Sequence, residues 1–230
     1  MAGTIMHLVI ADRLLEALSI RNPGFFYCGN LAPDAIMNRK NYTREMKRHT
    51  HFKDDIRLHE FHQPEKFQMY LERLNAFYDR FVARPYDNAH WEIYFGYFTH
   101  MLVDELYLLH FRDRFVERLL AAGKDPVDKE FWDAFTKDVD MVDLELVRTY
   151  QFHYAMPDAI RIQEHYEIEG LVAEQELLDS KDFIIRKNFD PDKKLQPLQV
   201  MTMEKNLEFI ELAVREIPEI LRTRYGMKVQ

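Results

Sequence analysis

The chain has 230 residues, 47% of them apolar and 30% charged, with only 7 Gly and 9 Pro. That length and balance exclude a disordered chain, bound one sizeable domain over residues 1–230, and weigh against an all-β fold, which needs many turns. The formal net charge of -8 argues against nucleic acid and anionic membranes as general partners. Cys28, the one cysteine, excludes an internal disulfide and reads as a small buried hydrophobe.

The first apolar stretch, Ile5 to Ala11, contains His7 and is followed at once by Asp12, Arg13 and Glu16. It lacks the basic start and unbroken apolar core of a secretory signal, and no apolar run approaches the ~20 residues that span a bilayer. A cytoplasmic protein without a transmembrane segment is expected. His7, Ile10, Ala11, Leu14, Leu15 and Leu18 recur at helical spacing, which predicts a helix over about Ile5 to Leu18, ended by Asn22, Pro23 and Gly24. Phe25 to Asp34 holds Gly29, Asn30 and Pro33 and reads as a loop. A basic segment from Arg39 to Arg48 leads into His49-Thr50-His51.

Pro64 is placed as the first residue of a second long helix, with Phe67, Tyr70, Leu71, Leu74, Tyr78 and Phe81 as its stripe and Pro85 as its stop. Asp87 can cap a third, from about Asn88 to Leu120, which Gly123 breaks. Asp125-Pro126 reads as the start of a fourth, reaching Arg148. A fifth follows Pro157, over roughly Asp158 to Leu178. Lys181 to Pro197 reads as a loop, and a last helix spans about Leu198 to Tyr225, bent near Pro218. The expected fold is all-α, with about six or seven helices and no repeat.

The chemistry-bearing pattern lies mostly on the third helix. Ile93, Tyr97, His100, Asp104 and Tyr107 share one face, and His100 and Asp104 stand one turn apart, so imidazole and carboxylate can reach one point. Such a pair suits a metal ion, and equally a buried hydrogen-bonded pair. His7 sits on an apolar face, as a core histidine or a ligand. Asp34 follows Pro33 among apolar neighbours and needs a partner, either a backbone turn or helix N-terminus or a metal ion. His49 and His51 lie beside Lys47, Arg48 and Lys53, as a solvated loop does. A metal site explains several of these placements together.

Met6-His7-Leu8, Asn30-Leu31-Ala32-Pro33-Asp34, His49-Thr50-His51-Phe52 and Thr99-His100-Met101-Leu102-Val103-Asp104 come in an order that resembles the zinc-dependent phospholipase C family, which includes zinc-dependent single-strand nucleases. The resemblance implies a helical protein with one to three zinc ions, in which metal-activated water attacks phosphorus. It implies that Asp34, His51, His100 and Asp104 hold one metal, with Asp104 bridging to a second that His7 also binds. His110 stands where the family has its next histidine, although Glu105 to Leu109 lacks the family's helix-breaking proline. On an unbroken helix His110 points about 120° away from Asp104.

Two more departures concern the other metals. Secreted members use their processed N-terminal residue as a ligand, whereas this chain begins Met1-Ala2, which leaves His49 as a substitute. The third site's His-x-x-x-Glu pair has only His165 and Glu169 as a counterpart, and these also read as a solvated helix face. The resemblance implies a metal-dependent phosphoric ester hydrolase acting on a small phosphodiester or phospholipid-headgroup substrate, with Asp34 as the carboxylate that orients or deprotonates water. The alternative is a non-catalytic helical binding or scaffold protein with a structural metal.

Overall fold

Asp143 accepts hydrogen bonds from the backbone N–H groups of Ile5 and Met6, both at 3.1 Å, and so caps the first turn of a helix, α1, that runs over Thr4–Leu14. A Cβ on Gly3 would stand 2.2 Å from that carboxylate, so only glycine admits the cap. The structure, a computed structural model, describes residues 2–84, 90–154, 156–161, 167–190 and 192–229. Pro85, Asp87, the expected helix start at Asn88, and His165 lie outside the described residues. No strand occurs among the described residues, and the all-α expectation holds, with more helical segments than the six or seven expected.

After α1 come α2 (Pro23–Ala35), α3 (Arg44–Thr50), α4 (Pro64–Phe77) and α5 (Trp91–Leu106). They are followed by α6 (Asp113–Ala121), α7 (Lys129–Thr149), α8 (Met156–Arg161), α9 (Glu174–Asn188) and α10 (Met203–Tyr225). Single π-helical turns, Tyr78–Val82 and Tyr107–Arg112, extend α4 and join α5 to α6. No helix of the described residues is long and apolar enough to cross a membrane.

Helix α1 is buried on nearly every side, among α2, α5, α7 and α10, rather than along one stripe. Against it and α5 lies α2, which replaces the loop expected over Phe25 to Asp34. Asn22 caps it, its side chain accepting from Phe25 N at 3.2 Å, and Pro23 opens its first turn. The apparent breakers serve packing instead. A Cβ on Gly29 would lie 2.1 Å from the Ile93 carbonyl oxygen, and one on Gly96 would lie 2.2 Å from that of Phe26. The two glycines let the backbones of α2 and α5 cross in contact. Pro33 falls in the last turn of α2, where its missing N–H costs one intrahelical bond and only two residues of helix follow.

Three other boundaries differ from expectation. Helix α7 is capped by Asp128, which accepts from Phe131 N at 2.8 Å, whereas Asp125 closes a turn onto Val127 N just before it. The expected helix over Asp158 to Leu178 and loop over Lys181 to Pro197 give way to α8, a short turn bridging Ile168 and Val172, and α9. The buried face of α9 is Leu177, Ser180, Lys181, Ile184 and Asn188. With Glu176, also buried, four of its six members are polar, which hid the helical periodicity. Helix α10 passes through Pro218 and starts at Met203, after a segment bound by Asp138.

Candidate metal centre

The crossing of α2 and α5 places the Asn30 carbonyl oxygen 2.7 Å from His100 Nδ1. A carbonyl only accepts, so Nδ1 carries the proton and Nε2 presents its lone pair. The same logic fixes His51, whose Nδ1 lies 2.8 Å from the Lys47 carbonyl oxygen at the end of α3. Thr50 joins the segments, its hydroxyl donating to the Pro33 carbonyl at 2.9 Å, and the Tyr97 hydroxyl donates to the Thr50 carbonyl. Asp34 and His51 are thereby held side by side. Phe52 then adopts φ 56°, a left-handed conformation strained for an aromatic residue, and the chain turns Lys53 inward.

The five residues His7, Asp34, His51, His100 and Asp104 are brought together and buried. The ring of His7 stacks on that of His100, centroids 3.7 Å apart and planes within 1°. His7 Nε2 is 3.6 Å from Asp104 Oδ1, and His51 Nε2 is 3.3 Å from Asp34 Oδ1 and 3.8 Å from Asp104 Oδ2. Donors ~2.1 Å from one tetrahedral ion lie about 3.4 Å from each other, so these separations suit a shared cation. The Nε2 atoms of His7, His51 and His100, and Asp104 Oδ1, are all buried without a hydrogen-bond partner. Four such atoms are costly to leave unpaired, and a divalent ion at either triad, His7–His100–Asp104 or Asp34–His51–His100, would satisfy those it touches.

The carboxylates have cations already beside them. Lys47 Nζ lies 2.7 Å from Asp34 Oδ1, and Lys53 Nζ lies 3.1 Å from Asp104 Oδ2. Burial pushes both carboxyl groups up, but Lys47 and His51 at Asp34, and Lys53 and His7 at Asp104, outweigh it and hold each well below the usual carboxylate range. Burial, with His7 alongside, pushes His100 well below the ordinary imidazole value, and burial lowers His51 against the pull of Asp34. Neutral imidazoles and ionised carboxylates are the protonation states that ligate metals. The flanking lysines, read as marks of a solvated loop, are instead part of the site, Lys53 being only 1% exposed.

Other candidates stand apart. His110 is exposed, in the turn Tyr107–Arg112, and lines a separate groove with Arg114 and Arg118. His49 is exposed and paired with Asp54 at 2.8 Å. Glu169 pairs with Arg80 on the surface. Cys28 is buried, and burial raises its thiol to about 11, as suits an inert core side chain.

A cavity of about 710 Å³ opens over Asp34 and His51, between α3, the start of α1, and α7. Seven Lys and Arg side chains line it against three Asp, so an acidic protein presents a basic cavity here. Comparison with proteins of curated function and with solved structures finds no match. The sequence profile of one family, described as zinc-dependent phospholipase C, matches residues 6–169, a span that contains all five converging residues.

Proposed function

The chain belongs to the zinc-dependent phospholipase C family, and from that premise we propose that it is a metal-dependent hydrolase of a phosphodiester or phospholipid-headgroup phosphoester. The observation that carries this reading is the convergence of partnerless, buried Nε2 and Oδ1 atoms at the foot of a basic cavity. His7, Asp34, His51, His100 and Asp104 would hold the ion. When bound, zinc supplies Lewis acidity, which withdraws electron density from a phosphoryl oxygen and acidifies water.

The chain's own residues do the rest. Both ligand triads found among the described residues share His100, whose one available lone pair is on Nε2, and Lys53 stands against Oδ2 of Asp104. That arrangement supports one ion rather than a cluster. Lys47 keeps Asp34 ionised, and a carboxylate so depressed is a weak base, so Asp34 orients water through its oxygens more than it abstracts a proton. The cavity's cations offset the charge of the phosphoryl group as it enters and as charge develops on it.

The test is elemental analysis joined to turnover. Protein purified without added metal is expected to carry about one zinc per chain. Chelation is expected to abolish hydrolysis of bis(p-nitrophenyl) phosphate, zinc to restore it, and His100→Ala to lose both metal and turnover. Bound zinc without turnover of any diester, monoester or headgroup compound between pH 5 and 9 would sink the enzyme reading and leave a scaffold with a structural metal.

A further inference from the structure

We propose that the cavity contains a second anion subsite, built on Arg112, that takes a further phosphoryl group carried by the substrate beyond the scissile one. The proposal rests on the cavity being the active site, and the experiment below separates the two.

Arg112 is 8% exposed and lines the cavity with Asp34 and His51. Its Nη1 is buried with no hydrogen-bond partner, and no ion pair involves it among the described residues. Its guanidinium carbon lies 3.7 Å from the ring centroid of Trp132, whose Nε1 donates to the Pro126 carbonyl at 2.8 Å. The stacked indole orients the guanidinium plane without neutralising it. Burying a cation with a bare N–H is costly, and such a group persists where an anion completes it. The planar fork of N–H donors matches two oxygens of one phosphoryl group.

The backbone explains how Arg112 reaches the site. It follows Asp104 by eight residues, which on an α-helix places the two side chains about 80° apart. The π-helical turn Tyr107–Arg112 absorbs one residue, and the offset falls to about 20°. The widened turn therefore carries Arg112 onto the face of His100 and Asp104. Tyr107 lies close enough to both Asp104 and Arg112 to feel their charges, and its hydroxyl is likewise buried without a partner. At the rim, Arg44 and Arg57 are exposed and form no ion pair among the described residues. Lys47, Lys53, Arg48 and Lys187, by contrast, face Asp34, Asp104, Glu45 and Asp140. Unpaired cations thus run from the rim to the buried Arg112. A cationic headgroup meets like charge along that line, whereas a substrate with a second phosphoryl group meets its complement.

Calorimetry on the zinc-loaded protein tests this, with inorganic phosphate and alkane bisphosphonates of one to four carbons as probes. At least one bisphosphonate is expected to bind about tenfold or more tightly than phosphate. Arg112→Gln is expected to remove that preference while leaving zinc content unchanged, and Arg112→Lys to restore part of it. If Arg112→Gln fails to fold, Arg112→Lys and Trp132→Phe carry the test, each reducing the preference. No preference in the wild type, or a preference untouched by all three substitutions, overturns the subsite. A protein that binds no zinc yet keeps an Arg112-dependent bisphosphonate preference upholds the subsite and removes the metal-hydrolase reading instead.

Discussion

Asp104 and Glu105 are neighbours in the chain, both at most 1% exposed, and end in opposite circumstances. Glu105 is closed by Arg224 of α10 in a two-pronged pair, at 2.8 and 2.9 Å. Asp104, on another face of α5, keeps Oδ1 without a partner beside the unpartnered Nε2 atoms of His7 and His100. The far side of α1 repeats the closed pattern. Asp12 accepts from the hydroxyls of Tyr27 and Tyr150, at 2.6 and 2.7 Å, and lies against His153 Nδ1 at 2.7 Å. Asp138 accepts the backbone N–H groups of Gln199, Val200 and Met201. Burial alone therefore does not mark a functional carboxylate. Closed carboxylates tie distant segments together, whereas the open cluster keeps valence in hand for a ligand.

The contrast can be broken from either side. The largest effect is expected at Asp104, because Asp104→Ala removes the carboxylate beside the buried Lys53 ammonium. A loss of about 4 kcal/mol in urea unfolding, together with loss of zinc, is expected; an unchanged midpoint and metal content would remove Asp104 from the site. Asp138→Ala strips the acceptor from three backbone N–H groups and should cost about 3 kcal/mol while leaving zinc content as it was. Lost zinc in that variant would show that the two regions are not separable. Tyr27→Phe deletes one of several bonds to Asp12 and should cost about 1 kcal/mol, again without effect on metal.

The smallest stability change is expected at the centre of the site. His7→Leu replaces a ring whose two nitrogens have no hydrogen-bond partner, so the chelator-treated variant should unfold within about 0.5 kcal/mol of the wild type or above it. Its zinc affinity, read by competition with a chromophoric chelator, should fall about tenfold or more. A strongly destabilised, zinc-free His7→Leu would make His7 a structural histidine.

Much of this was legible in the residues. Helical spacing placed His100 and Asp104 on one face, set the apolar stripe of α4, and made an all-α fold the expectation, because periodicity is a property of one segment. Order and spacing carried the family resemblance that the profile match supports over residues 6–169. Less legible were α2 and α9. Gly29 and Pro33 look like breakers until a second helix lies against them, and the buried face of α9 carries Ser180, Lys181 and Asn188.

Lys53 reads in the sequence as a mark of a solvated loop, and Arg112 does not stand out at all. Nothing in a sequence distinguishes a solvated cation from one turned inward by a left-handed Phe52 or by a π-helical turn. Residue order settles which side chains are available and which of them share a helical face. Tertiary structure decided which lone pairs and N–H groups were left over, because that depends on the crossing of α2 with α5 and on the partners each buried polar atom meets across helices, and the leftover valence is what a metal ion or a phosphoryl group can use.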